Sequence, residues 1–169
     1  MHDNPTQAVL YAYLAGIIDG EGSITIRKVT SKKTLALTKR KSPWYHPAVS
    51  LGMMWEGIPA LLYDTFGGSC YTERAPSHRT LYRWALMGNK QIVPVLKALL
   101  PYLRVKQEQA LMLLEFLAGW VDLRTVKGEA KIEELQRRED LYQQMRKLNA
   151  VGAAATTKRD DIREDEAIV

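Results

Sequence analysis

Residues 13–24 read Tyr13-Leu14-Ala15-Gly16-Ile17-Ile18-Asp19-Gly20-Glu21-Gly22-Ser23-Ile24, and the residue pattern changes character twice inside this stretch. Upstream, Asn4-Pro5 sets an N-cap with proline at the first helical position, so a helix is expected over residues 6–18. Ala8, Ala12, Gly16 and Gly20 recur every fourth position and share one helix face nearly free of side chains. The pair of glycines around Glu21 ends the helix, because glycine is costly inside one and favoured just past its end. From Ser23 the period falls to two. Ile24 and Ile26 alternate with Ser23, Thr25 and Arg27, the pattern of a half-buried strand.

The same reading extends along the chain. A basic excursion over 30–46, with a hairpin near 34–37, leads to a second strand over 47–54. A short helix (56–66) stops at Gly67-Gly68. Strands over 69–74 and 80–86 flank the turn Ala75-Pro76-Ser77-His78. Gly88-Asn89 opens a helix that Pro101 breaks, and helices over 103–121 and 126–148 follow. The expected fold is α+β, in the order α-β-β-α-β-β-α with extra C-terminal helices. Its four antiparallel strands carry helices on one face only, which leaves the other face free for a ligand.

The chain has 169 residues, 46% of them hydrophobic and 25% charged. That length suits one core, so residues 1–149 are expected to form a single domain and 150–169 a polar, flexible tail. The lone Cys70 rules out a disulfide framework within the chain. No apolar run approaches the roughly 20 residues of a membrane span. The expectation is an intracellular, soluble protein without a membrane partner.

Charge narrows the class further. The net charge is +5, yet the last 20 residues carry −2, leaving +7 on the body. No acid occurs between Gly22 and Trp55, a window holding Arg27, Lys28, Lys32, Lys33, Lys39, Arg40 and Lys41. A second acid-free window, 74–107, holds Arg74, Arg79, Arg83, Lys90, Lys97, Arg104 and Lys106. Two such windows suggest a surface made for a polyanion. Ser23, Thr25, Arg27, Ser50, Tyr71 and Arg83 occupy outward strand positions, with Arg74 and Arg79 at the turn. Arginine reads base edges, and neighbouring lysines such as Lys32 and Lys33 hold phosphates. His46 lies in the loop beside that face.

Leu14-Ala15-Gly16-Ile17-Ile18-Asp19-Gly20-Glu21-Gly22 resembles the nine-residue signature of the LAGLIDADG homing endonucleases. Pro101-Tyr102-Leu103-Arg104-Val105-Lys106-Gln107-Glu108-Gln109-Ala110 is similar to a second segment of that family. Together with the element order, the resemblance covers residues 8–120. It implies a saddle-shaped sheet on double-stranded DNA and a metal-dependent endodeoxyribonuclease. Glu21 is then the metal ligand, assisted by the Gly20 carbonyl, while Asp19 caps or orients the helix end. Lys106 stabilises the transition state or polarises the attacking water. Mg²⁺, or Mn²⁺ in its place, is the expected cofactor, and no small-molecule cofactor is implied. Mg²⁺ takes one or two protein carboxylates and completes its octahedron with phosphate and water, so a sparse site suffices.

A second stretch, Leu117-Ala118-Gly119-Trp120-Val121-Asp122, copies six positions of the motif but lacks its glycines and second acid. Only 47 residues follow Asp122, and they show no strand pattern, so Asp122 reads as a structural helix residue. One motif cannot cut two strands. The expectation is a homodimer packed through Ala12, Ala15, Gly16 and Asp19, reading a palindromic or near-palindromic site. The chain departs from the family at the end of strand two, where Ser50-Leu51-Gly52-Met53-Met54-Trp55 offers Ser50 alone as a polar group. That departure is the ground for a second reading, a catalytically weak or inactive DNA- or RNA-binding relative such as a maturase or regulator. A third is a protein-interaction module built on the C-terminal helices.

Overall fold

The structure, a computed structural model, describes residues 5–30, 42–74 and 79–165, with side chains through residue 150. Lys32, Lys33, the hairpin at 34–37 and the turn at 75–78 lie outside the described residues. The elements are α1 (Pro5–Glu21), β1 (Gly22–Val29), β2 (Trp44–Met53), α2 (Gly57–Phe66), β3 (Ser69–Arg74), β4 (Thr80–Met87), α3 (Asn89–Leu99), α4 (Gln107–Ala118) and α5 (Glu129–Asp165). The four strands form one antiparallel sheet in the order β1-β2-β4-β3. The α+β architecture is the one the sequence implies.

Register shows which face each strand residue takes, because opposed residues share a face and neighbours alternate. Ile24 opposes Val49, which opposes Leu86; Leu51 opposes Trp84. All five are buried under the helices with Leu14, Ile18, Leu96, Leu113 and Phe116. Each fully buried large side chain of this kind contributes roughly 1.5–3 kcal/mol.

Gly22 joins α1 to the sheet without a connecting residue. A Cβ there would stand 2.8 Å from both the Cα and the carbonyl oxygen of Ile18, which are backbone atoms and cannot yield. Gly22→Ala should cost about 1–3 kcal/mol in urea unfolding, the usual range for overpacking; an unchanged midpoint would refute this reading of the junction.

Several boundaries differ from expectation. The helix of α1 continues three residues past Ile18, through Glu21. Helix α4 ends at Ala118, so Asp122 lies in a loop, where its carboxylate accepts the Arg124 backbone N–H (3.0 Å) and pairs with the Arg124 side chain (2.6 Å). Asp122 is thus structural, as read, but a turn residue rather than a helical one. Helix α5 runs to Asp165, well beyond the expected end near Leu148.

Two polar clasps fasten α5 to the body. Lys28 donates to Glu139 (2.6 Å), Gln143 donates to the same carboxylate (2.7 Å), and the Tyr45 hydroxyl adds a third, short bond. The second clasp centres on Arg138, which is 2% exposed, donates to Glu134 (2.6 Å) and to the Val121 carbonyl, and lies 4.4 Å over the Trp120 ring. Hydrogen bonds from Lys28 first, then Tyr45 and Gln143, hold the Glu139 carboxyl down at about 2, against 4.5 ordinarily. A depressed carboxyl stabilises the fold above its unfolded pKa and loses that contribution as pH falls through the folded one. Stability should therefore drop between about pH 4.5 and 2, and Glu139→Gln should flatten that part of the urea-midpoint profile. An identical profile in the variant would contradict it.

Candidate active site and nucleic-acid interface

The C-terminal end of a helix leaves its last carbonyls without intrahelical partners. In α1 these belong to residues 18–21, where the chain also places two carboxylates. Their circumstances are opposite. Asp19 accepts the backbone N–H groups of Arg104 (2.6 Å) and Lys106 (2.8 Å), and its own carbonyl accepts the Lys106 ammonium. It therefore orients not its own helix end but the loop that precedes α4. Glu21 is exposed, and among the described residues no group hydrogen bonds to it. One acid is consumed by the fold; the other is not.

Lys106, at the N-terminus of α4, completes the group. It is half-buried; burial pushes its ammonium pKa down, and the negative charges of Asp19 and Glu21 partly restore it. The sequence thus brought Glu21, Gly20 and Lys106 to one place although 85 residues separate the acid from the lysine.

Glu21 leads directly into the uncovered face of the sheet. Across its middle, Ser23, Ser50, Ala85 and Ser69 oppose one another in a row of small residues spanning all four strands. Its two ends, Ser23 and Ser69, are exposed, while Ser50 and Ala85 between them are buried. On one side of it stand Arg83 and Tyr71, on the other Thr25, Arg27, His46 and Met87. Arg27, Tyr71 and Arg79 are exposed, and the Arg79 guanidinium reaches Met54 Sδ at 3.8 Å. His46 stacks on Trp44 with centroids 4.8 Å apart; burial, then the nearby Arg27 charge, lower its pKa, so it is neutral at pH 7.

Four expectations need correction. Ser50 lies on the open face but is only 8% exposed, closed over by its neighbours, so it offers little to a ligand. Arg74 shares a face with Cys70 and Thr72, which is the opposite face from Arg83. Ala15 is 0% exposed and packs in the chain's own core, so it cannot contact a second subunit. The Asp19 carboxylate is likewise engaged within the chain. The acid-free windows also overstate the open face: Lys28 turns to Glu139, and Lys90 and Lys97 sit on α3.

What remains of the expected helix face is exposed. Val9 (71%) and Tyr13 (53%) border Ala12, Gly16 and Gly20, and a Cβ at Gly16 or Gly20 would meet nothing within 4 Å. Packing among the described residues therefore gives no reason for either glycine.

The sequence reading missed Glu73. It is the only acid on the four strands, and it faces outward beside Arg83, bonded to it at 2.5 Å. An acid at an alternate position of an otherwise acid-free sheet was the available signal.

No family model matches the chain, and no curated protein matches it. Solved structures do. The chain is similar to the homing endonuclease I-CvuI, crystallised with its target in the presence of calcium, at TM-score 0.68 and 18% identity over 86% of this chain and 85% of that one. It is similar to the archaeal intron-encoded homing endonuclease I-Vdi141I complexed with DNA, at TM-score 0.64 and 18% identity over 82% of each chain. It also matches the LAGLIDADG homing endonuclease I-GzeII bound to its DNA target, at TM-score 0.62 and 14% identity, covering 78% of this chain but 43% of that one. The fold is that of the LAGLIDADG homing endonucleases.

Proposed function

We propose that this protein is a site-specific, divalent-metal-dependent double-strand DNA endonuclease of the intron- or intein-encoded kind, working as a homodimer. The observation that carries this reading is the unequal use of two neighbouring carboxylates: Asp19 is bonded within the chain, while Glu21 stands free beside Lys106 at the rim of an uncovered sheet.

The donor set fits a hard divalent cation. Glu21 offers a carboxylate and Gly20 a terminal helix carbonyl, both oxygen ligands. Among the described residues no group of three or more acidic, histidine or cysteine side chains could hold an ion alone. The remaining ligands then come from phosphate, water and a second chain. A divalent ion bound there supplies charge neutralisation at the scissile phosphate and a more acidic water. Lys106 is held by Asp19 at the same place, where its ammonium can meet charge developing on the phosphate. Arg27, Tyr71, Arg79 and Arg83 line the face the duplex rests on. The exposed α1 strip at Val9, Ala12, Tyr13, Gly16 and Gly20 is where the second copy packs.

A non-catalytic nucleic-acid binder, a maturase or regulator, keeps support from one feature. Beyond β2 the exposed groups are Met54 (58%) and Trp55 (66%), so that strand sends no polar side chain to the centre. Cleavage of a randomised palindrome library with Mg²⁺ or Mn²⁺, beside a gel-shift salt series, separates the readings. Cutting together with salt-sensitive binding supports the nuclease, salt-sensitive binding alone supports the second reading, and no binding at any salt refutes both.

A further inference from the structure

We propose that Glu73 and Arg83 form a single base-reading unit that selects a G·C pair in the major groove, one for each copy of the sheet. The inference rests on the sheet being the DNA interface. Glu73 Oε1 and Arg83 Nη2 lie 2.5 Å apart on the open face, the side chains 43% and 34% exposed, so their polar edges remain accessible while paired. Arg83 also lies across the position of a missing side chain: a Cβ at Gly52 would stand 2.9 Å from Nη1. The guanidinium thus lies over Gly52 with one amine and bonds to Glu73 with the other.

A carboxylate on a surface for a polyanion is repelled by every phosphate; Arg83 offsets that charge within the protein, and the carboxylate edge left exposed is matched only by a hydrogen-bond donor on the duplex. In a duplex the donors open to the major groove are the amines of cytosine and adenine. The partner arginine decides between them. A G·C pair displays two acceptors, guanine N7 and O6, with the cytosine N4 amine directly beside O6. The bonded pair presents the complement, guanidinium donors with a carboxylate acceptor directly beside them. An A·T pair places its amine between two acceptors, so one group of the unit always faces its own kind. The bridge also keeps Arg83 from leaving for the nearest phosphate, where it would read nothing.

Binding-site selection from a randomised duplex library, run on the full chain and on Glu73→Gln and Arg83→Ala, tests this. The unaltered protein should enrich a G·C pair at symmetry-related positions in both half-sites. Glu73→Gln should lose about five- to a hundredfold of the preference there, leave the other positions unchanged, and steepen the salt dependence by about one phosphate contact as Arg83 is released. Arg83→Ala should lose the same preference without the steeper salt dependence. If the protein selects a site that Glu73→Gln reproduces at every position, the unit is overturned while the DNA interface stands. If it selects no site at all, the reading of the sheet falls and the unit with it.

Discussion

Replacing Glu21 with Gln should lower the cleavage rate by about a thousandfold or more, a loss of roughly 4 kcal/mol of transition-state stabilisation, while duplex affinity changes by less than about threefold. The asymmetry follows from geometry. Glu21 is exposed and bonds to nothing within the described chain, so the fold loses nothing with its charge. The amide keeps its size but is a far poorer ligand for a hard cation. Asp19→Asn provides the contrast. It weakens the hold on the Arg104 and Lys106 backbone N–H groups, so its effect should include a loss of stability that Glu21→Gln does not show. Equal cleavage by the Glu21 variant and the unaltered protein, measured in single-turnover digestion, would remove Glu21 from the chemistry.

Gly16→Leu should change stability and activity in opposite directions. Within one chain the new side chain has room, since none of the described residues lies within 4 Å of its Cβ. Leucine also favours a helix over glycine by up to about 1 kcal/mol. The isolated subunit should therefore unfold at the same or higher urea concentration. Between two copies packed through α1, the same side chain would hold the helices apart. The variant should sediment at 19.2 kDa and lose double-strand cleavage by about a hundredfold or more, since each copy carries one Glu21. A variant that still sediments at twice that mass and cuts would place the subunit contact elsewhere.

Local signals in the sequence were strong where one residue type has one structural use. Pro5 opened α1, Gly67 closed α2 with φ at 70°, and the Ile24/Ile26 alternation set the buried face of β1. The place where Glu21, Gly20 and Lys106 meet was legible through two segments, because a helix, two acids and two glycines in register leave few arrangements and the 101–110 stretch supplies the lysine. Partnership at a distance was not legible. Nothing near Asp19 shows that its carboxylate is spent on a loop 85 positions away, nor does the sequence around Lys28 reveal that it turns to Glu139 instead of DNA. Ser50 and Ala15 failed for a related reason: alternation and helical period give the direction of a side chain, but its exposure depends on neighbours from other elements. Helix α5 was cut short because its polar, alanine-rich continuation reads equally well as a frayed tail.

The account depends on one carboxylate centre per chain being used twice across a duplex dyad. Mapping the ends produced when the protein cuts its selected duplex in Mg²⁺ tests this most directly. One break in each strand, at positions equivalent under a two-fold axis through the site, is the predicted result. A duplex that is bound yet uncut with every divalent ion, or breaks confined to one strand, would contradict it.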